Sequence, residues 1–251
     1  MVFLFHMAFK LAVFLMLGSI LASWGTYIYD NYRFLTTTTY KKILTARSKC
    51  DHCEKQLKLI NIIPFFSYIF QRGKSSCCNK PISRKYFYIE SLGILVGATM
   101  AFFDQISVGL LISLLIFLIF LDERYKEIPI TLNLLIIILV TISIPNISLD
   151  NYVTPLIVMA FLLLIYFGFL LIKKKEGMGL GDIILIFSIS LFIGFPNILY
   201  LITIASSLLL LKIIFTQKYK EQHAFGSWLA GVFLTFILFQ EFYEFEGSVT
   251  I

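Results

Sequence analysis

The sequence predicts an all-α polytopic membrane protein with about eight transmembrane helices and one cytosolic, cysteine-containing insert after the first helix. Three observations carry that prediction. Hydrophobic residues make up 59% of the 251 positions and charged residues 14%, with a mean hydropathy of +0.87. Apolar runs recur at lengths that can cross a hydrocarbon layer about 30 Å thick. Basic residues gather in alternate connections between those runs, a pattern that marks cytosolic loops.

The first span is expected over residues 11–29. Its basic load follows the apolar stretch instead of preceding it, the reverse of a cleaved signal peptide, so the span is read as retained. Residues 30–86 form the one sizeable polar insert, and residues 87–251 a seven-helix membrane core. Within that core the spans are expected at 87–103, 107–121, 129–145, 153–172, 183–195, 197–215 and 225–241. The span at 183–195 is only about 20 Å long as a helix, so it either begins before Asp182 or lies in locally thinned bilayer.

Of the 21 Lys and Arg residues, twelve lie between 30 and 86, two in 122–128, three in 173–176 and three in 212–220, with Lys10 ahead of the first span. The connections at 104–106, 146–152 and 195–197 carry none, and neither does 242–251. This alternation puts both termini outside and brings Asp122 and Asp182 to the same cytosolic side. The net charge of +6 belongs to this asymmetry. The expected partner is therefore the lipid bilayer and not nucleic acid. The 26 Phe and 13 Tyr are read as lipid-facing bulk and interfacial anchors.

All four cysteines fall in the insert: Cys50 and Cys53 as C-x-x-C, then Cys77 beside Cys78. Thiols stay reduced in the cytosol, so a metal suits them better than a disulfide framework. Two thiolates spaced C-x-x-C close on one tetrahedral Zn²⁺, and a second pair completes the site. Such a structural zinc substitutes for the hydrophobic core that so short an insert can hardly build. Adjacent cysteines chelate less well than C-x-x-C, which leaves His52 or water as a further ligand and buried, unligated thiols as the other reading. His52 itself is read as solvated, and Thr36–Thr39 as a loop or strand without chemistry.

Two carboxylates stand out. Asp122 ends the third span in LDERYKEIP, where Ile128-Pro129 opens the next helix with a proline its first turn tolerates. Asp182 closes GMGLGD (177–182) at the start of a helix, whose N-terminus favours an anion. Gly177, Gly179 and Gly181 are expected to permit positive φ and close approach, so that an extended substrate can pair with the main chain. The plainer alternatives are a solvated charged loop around Asp122 and a flexible turn with Asp182 as helix cap. If the two carboxyls meet, they cannot both ionise cheaply; one keeps a proton. The ionised partner can take a proton from water while the other donates to a carbonyl oxygen, which is peptide hydrolysis without a metal. No Ser/His or Cys/His constellation competes.

Over most of its length the chain resembles bacterial type IV prepilin peptidases, the GxGD-type membrane aspartyl proteases that process type IV pilins and pseudopilins. The resemblance is carried in order by RSKCDHC (47–53), IPFFSYIFQRGK (63–74), NKPISRKYFYIE (79–90), D-x5-IP (122–129), GMGLGD (177–182) and FGSWLAG (225–231). It implies a bacterial inner-membrane enzyme that removes a short basic leader from prepilin-like substrates at the cytosolic face, with Asp122 and Asp182 catalytic. It also implies N-methylation of the new terminus with S-adenosylmethionine, an activity associated with the cysteine insert. Three positions depart from the family pattern: Ser75 where the second C-x-x-C has its first cysteine, Ile184 where a lysine follows the GxGD aspartate, and INI (60–62) where an acid precedes the IP of the insert. A basic leader would be repelled by a basic insert, so Glu90, Glu123, Glu127 and Glu176 are candidate offsets. Two other readings remain at this stage: an ion-coupled transporter with the aspartates as ligands, although such charges sit nearer the midplane of repeated halves, and an assembly scaffold without catalysis.

Overall fold

The computed structural model describes residues 2–37, 48–50, 52–103, 106–144, 150–174, 177–219 and 221–249. Among them the secondary structure is helical, with two isolated β-bridge pairs and no strand. The helices are α1 (Val2–Thr37), α2 (Phe66–Phe70), α3 (Arg84–Phe103), α4 (Ile106–Tyr125), α5 (Ile130–Ser143), α6 (Asp150–Lys173), α7 (Leu180–Ile193), α8 (Asn197–Thr216) and α9 (Phe225–Val249), plus a 3₁₀ turn at Leu59–Asn61. Among the described residues four segments are, by length and composition, long and apolar enough to cross a membrane: Ala8–Tyr32, Ile106–Tyr125, Asn151–Lys173 and Asn197–Thr216. Ile130–Ser143, Leu180–Ile193 and Phe225–Gln240 are shorter apolar helices. The chain is thus a polytopic, all-helical membrane protein. It divides into two compact units, residues 1–105 and 106–251.

In the first unit α1 packs along α3, and small residues make this contact close. Gly93 and Gly97 form a G-x-x-x-G on α3, facing Gly18 and Ala22 on α1; a Cβ on Gly97 would strike the Phe14 carbonyl oxygen, and one on Gly18 the Gly93 carbonyl. Backbones can approach so closely in lipid only where side chains are missing. Helix α1 also runs well past residue 29, so Thr36 and Thr37 end a helix and do not form a loop or strand; Thr38 and Thr39 lie outside the described residues. Between α1 and α3 the chain makes two short hairpins, bridged at Lys49–Gln56 and Lys74–Pro81. Glu90 on α3 is buried and accepts the Phe65 amide at 2.6 Å.

In the second unit α7 is the inner helix. It packs against α5, α6, α8 and α9, and Ile183, Leu185, Ile186 and Ile189 are all but inaccessible. A helix apolar on every side is one surrounded by others. Helix α6 is its opposite, exposing Leu164, Leu171 and Ile172, the wide apolar face that lipid covers. Helix α4 buries one stripe, Leu111, Leu115 and Leu118, at i, i+4, i+7 spacing. Asp122 is the next position on that stripe. The helix continues to Tyr125 and ends as Lys126 takes φ +57, its amide bonded to the Asp122 carbonyl at 2.8 Å. Asp122 therefore lies inside the helix, not at its end as the sequence suggested.

Candidate active site

Asp122 is 3% exposed, whereas Glu123, Arg124, Lys126 and Glu127 around it are exposed. The solvated-loop reading of Asp122 thus fails on helical periodicity: its neighbours point outward and it points in. Asp122 Oδ2 accepts the Ser227 amide at 2.7 Å across 105 residues of sequence. Ser227 is the third residue of α9, so its N–H is one of those a helix start leaves without an internal acceptor. A carboxylate on α4 thereby caps α9.

Asp182 is the third residue of α7 and half-buried. The N-cap residue is Gly179, which has no side chain to cap with, so Asp182 is not the cap residue itself but, from N3, reaches back to the Gly179 backbone as the acid of a capping box does. Its carboxylate lies against the backbone of Gly179 and Gly226. Around Gly226 the two acids converge: a Cβ there would sit 2.8 Å from Asp182 Oδ1 and 3.3 Å from Asp122 Oδ2. Both carboxyl groups thus border the space that one methyl group would overfill.

The glycines of GMGLGD act by absence of a side chain, not by conformation. Among the described residues the positive-φ glycines are Gly73 and Gly194, and none of Gly177, Gly179 or Gly181 is among them. A Cβ on Gly181 would lie 2.9 Å from Ile128 Cβ and 3.2 Å from its carbonyl oxygen, and one on Gly177 would lie 2.8 Å from the Phe169 ring. The expectation of positive φ is thus corrected; close approach remains. Ile128 is the wedge that Gly181 and Gly226 both admit, since a Cβ on Gly226 would also collide with Ile128 Cδ1. Pro129, at φ −61, then caps α5. Asn133 on the same helix is fully buried and donates from Nδ2 to the Gly181 carbonyl at 3.0 Å, while its Oδ1 has no partner.

Sequence reasoning gave Asn133 no part, and met Ile128, Gly226 and Ser227 only within D-x5-IP and FGSWLAG, without a task at the acids. The small pair Gly226-Ser227 at the head of an apolar helix was the available signal. Of the proposed acidic offsets, Glu90 is buried and engaged as above. Glu123 pairs with Lys212 at 2.7 Å and Lys126 at 3.3 Å, Glu127 is exposed, and Glu176 lies outside the described residues.

The first unit holds the other cluster. The sulfurs of Cys50, Cys53, Cys77 and Cys78 all lie within 4.8 Å of one another. Tetrahedral zinc with Zn–S of about 2.3 Å sets its sulfurs about 3.8 Å apart, and Cys50 Sγ is 3.8 Å from Cys78 Sγ. The residues fit a zinc ion. The Ser75 hydroxyl, then the His52 and Cys53 amides, hold the Cys50 thiol down at about 5, and a bond shared with Cys77 pushes Cys53 up to about 12. A thiol must lose its proton to bind a metal, so uptake of an ion would release the proton that Cys53 holds.

Comparison with known proteins agrees with this division of the chain. Residues 13–103 match the model of the bacterial Peptidase A24 N-terminal domain, and residues 109–215 that of the type IV leader peptidase family. A prepilin leader peptidase/N-methyltransferase of Dickeya chrysanthemi is 30% identical over 197 residues, 73% of this chain and 70% of the relative. Its namesake from Pectobacterium carotovorum is 30% identical over 205 residues, 74% and 72% respectively, and that from Neisseria gonorrhoeae 32% over 198 residues, 73% and 68%. No solved structure gives a significant match. With an acid pair closed around Gly226 on one side of residue 105, a thiol cluster on the other, and both halves matched in order, the chain belongs to the type IV leader peptidase family.

Proposed function

We propose that this protein is a prepilin leader peptidase of the bacterial inner membrane, spanning it eight times, with Asp122 and Asp182 as its catalytic pair at the cytosolic face. The observation that carries the reading is the meeting of the two carboxyls around Gly226. Two acids so close share one proton, because a second negative charge beside the first is costly. The ionised carboxyl takes a proton from water, and the hydroxide attacks the scissile carbonyl carbon. The protonated carboxyl donates to the carbonyl oxygen. The diol intermediate collapses as the C–N bond breaks: the departing amine receives the proton taken from water, and one diol hydroxyl returns its proton to the second carboxyl, restoring the starting pair.

The substrate is the short basic leader of a type IV prepilin-like protein, cut just before its hydrophobic helix. The exposed backbone of Gly177 and Gly179 suits main-chain pairing with an extended leader. Ile128 and Asn133 hold Gly181, so they position Asp182 without touching substrate.

Relatives of this chain bear the second name N-methyltransferase, and by that likeness the protein also methylates the new N-terminus. S-adenosylmethionine would supply the methyl group. The insert 30–86 is the associated module, with the four thiols holding a structural zinc.

The test is digestion of a prepilin-like peptide by the purified protein, read by mass spectrometry, with and without S-adenosylmethionine. A shortened product is expected, gaining one methyl when the cofactor is present. Asp122→Asn and Asp182→Asn should each leave the protein folded and slow cleavage by at least about 100-fold. Full cleavage by either variant would remove that residue from the chemistry.

A further inference from the structure

The thiol cluster stands on two hairpins that are the same structure built twice. Each backbone hydrogen bond of the first recurs in the second, displaced by the 25 positions that separate Cys50 from Ser75. Cys50 N–H donates to the Lys55 carbonyl at 2.9 Å, and Ser75 N–H to that of Lys80 at 2.8 Å. Glu54 N–H donates to the Cys50 carbonyl at 2.9 Å, and Asn79 N–H to that of Ser75 at 2.8 Å. Leu57 N–H reaches the Ser48 carbonyl at 2.9 Å, and Ile82 N–H that of Gly73 at 2.8 Å. The bridges Lys49–Gln56 and Lys74–Pro81 repeat in register. Even the left-handed residue recurs, Glu54 at φ +55 and Asn79 at φ +60.

This equivalence assigns counterparts without reference to residue type. Cys53 corresponds to Cys78, His52 to Cys77, and Cys50 to Ser75. The chelating positions of the first hairpin are its first and fourth, Cys50 and Cys53. Those of the second are Ser75 and Cys78, and Ser75 has a hydroxyl where symmetry asks for a thiolate. A neutral hydroxyl is a poor ligand for a metal that draws thiolates and imidazoles. Two positions further on, Cys77 occupies the place that His52 holds in the first hairpin. His52 turns away, its Nε2 3.2 Å from the Pro81 carbonyl oxygen. Cys77 turns in, its Sγ 3.1 Å from Cys53 Sγ and 3.0 Å from Ser75 Oγ.

We infer that Cys77 has taken the fourth corner of the metal site from position 75, and that Ser75 stays beside it as a hydrogen-bond donor to the sulfurs. The site is then a four-thiolate zinc centre with three ligands at the chelating positions of the two hairpins and one displaced by two residues. Ser75 is 5% exposed, with its Oγ 3.3 Å from Cys50 Sγ and 3.0 Å from Cys77 Sγ. A single hydroxyl proton serves one sulfur at a time, and such outer contacts orient ligands and tune the metal. This inference rests on the zinc reading of the cluster given above and adds where its fourth thiol stands relative to the hairpin repeat and what Ser75 does beside it.

The experiment uses the full-length reduced protein in detergent, reconstituted with Co²⁺ and then competed with Zn²⁺. Thiolate-to-cobalt charge-transfer intensity counts the sulfurs bound. The wild type should give a four-thiolate spectrum. Cys77→Ser should lose about a quarter of the intensity, and its zinc affinity should fall by more than about 100-fold, the upper end for an outer contact alone. Ser75→Ala should keep four thiolates. The double variant Ser75→Cys/Cys77→Ser should regain them, which separates ligand loss from misfolding. An undiminished spectrum in Cys77→Ser, or a ligand lost in Ser75→Ala, overturns the assignment of the fourth corner. A wild type that takes up neither ion overturns the zinc reading itself.

Discussion

Replacing Gly226 by alanine adds one methyl group where both acids and Ile128 meet. The new Cβ would lie 2.8 Å from Asp182 Oδ1 and 3.3 Å from Asp122 Oδ2, and it would overlap Ile128 Cδ1. Carbon atoms rest at about 3.5–4.0 Å, so Ile128 or the start of α9 must retreat by about 1 Å. Overpacking of this kind costs about 1–3 kcal/mol, and part of that is offset by the roughly 0.5–1 kcal/mol that alanine gains over glycine inside a helix. The protein should therefore remain folded. Catalysis is less forgiving, because a 1 Å displacement of reacting groups can cost about 100-fold, equivalent to about 2.7 kcal/mol in the barrier. Peptide cleavage by Gly226→Ala should accordingly fall by about 100-fold or more in kcat, with a thermal midpoint within several degrees of the wild type. Gly231, five residues further along α9, has nothing within 4 Å of its would-be Cβ, so Gly231→Ala is the matched control and should cleave normally. A Gly226→Ala enzyme within about threefold of wild-type kcat would refute the placement of the acid pair at this glycine.

Other outcomes follow from the same geometry. Asn133→Leu keeps the volume but removes the bond to Gly181; kcat should drop by about tenfold, the worth of one such bond, while the thermal midpoint hardly moves because the orphaned Oδ1 is removed as well. Gly97→Val would force α1 from α3 and should lower the thermal midpoint by an amount corresponding to about 1–3 kcal/mol, whereas Gly168→Val on α6, with open space around it, should be tolerated far better. Stripping the metal with a chelator should make the hairpins of the insert sensitive to protease, as expected when binding and folding are one event. Peptide cleavage should survive that treatment; loss of cleavage would tie the acid pair to the metal.

The helical membrane architecture was legible because lipid imposes simple rules: long apolar runs and alternating basic connections. The aspartates were legible because a charge abutting an apolar helix is conspicuous. Their supports were not. Ser227 meets Asp122 only when chain segments 105 residues apart close on each other, and no local pattern announces that. Gly226 looks like any small residue at a helix start until Ile128 is set against it. The GMGLGD glycines were misread because glycine serves equally for unusual backbone angles and for missing bulk, and the sequence does not say which. The stripe Leu111, Leu115, Leu118, Asp122 was present all along, and following its period one step further would have put Asp122 inside the helix.

The acid pair and every group that steadies it come from beyond residue 105, whereas all four thiols precede that point. The acids proposed to cut and the thiols proposed to hold a metal are therefore written in separate stretches of the chain. A substitution among the thiols or at Ser75 thus falls outside the helices that carry the two acids, so the insert can vary in its ligands while the carboxyls keep the neighbours described above.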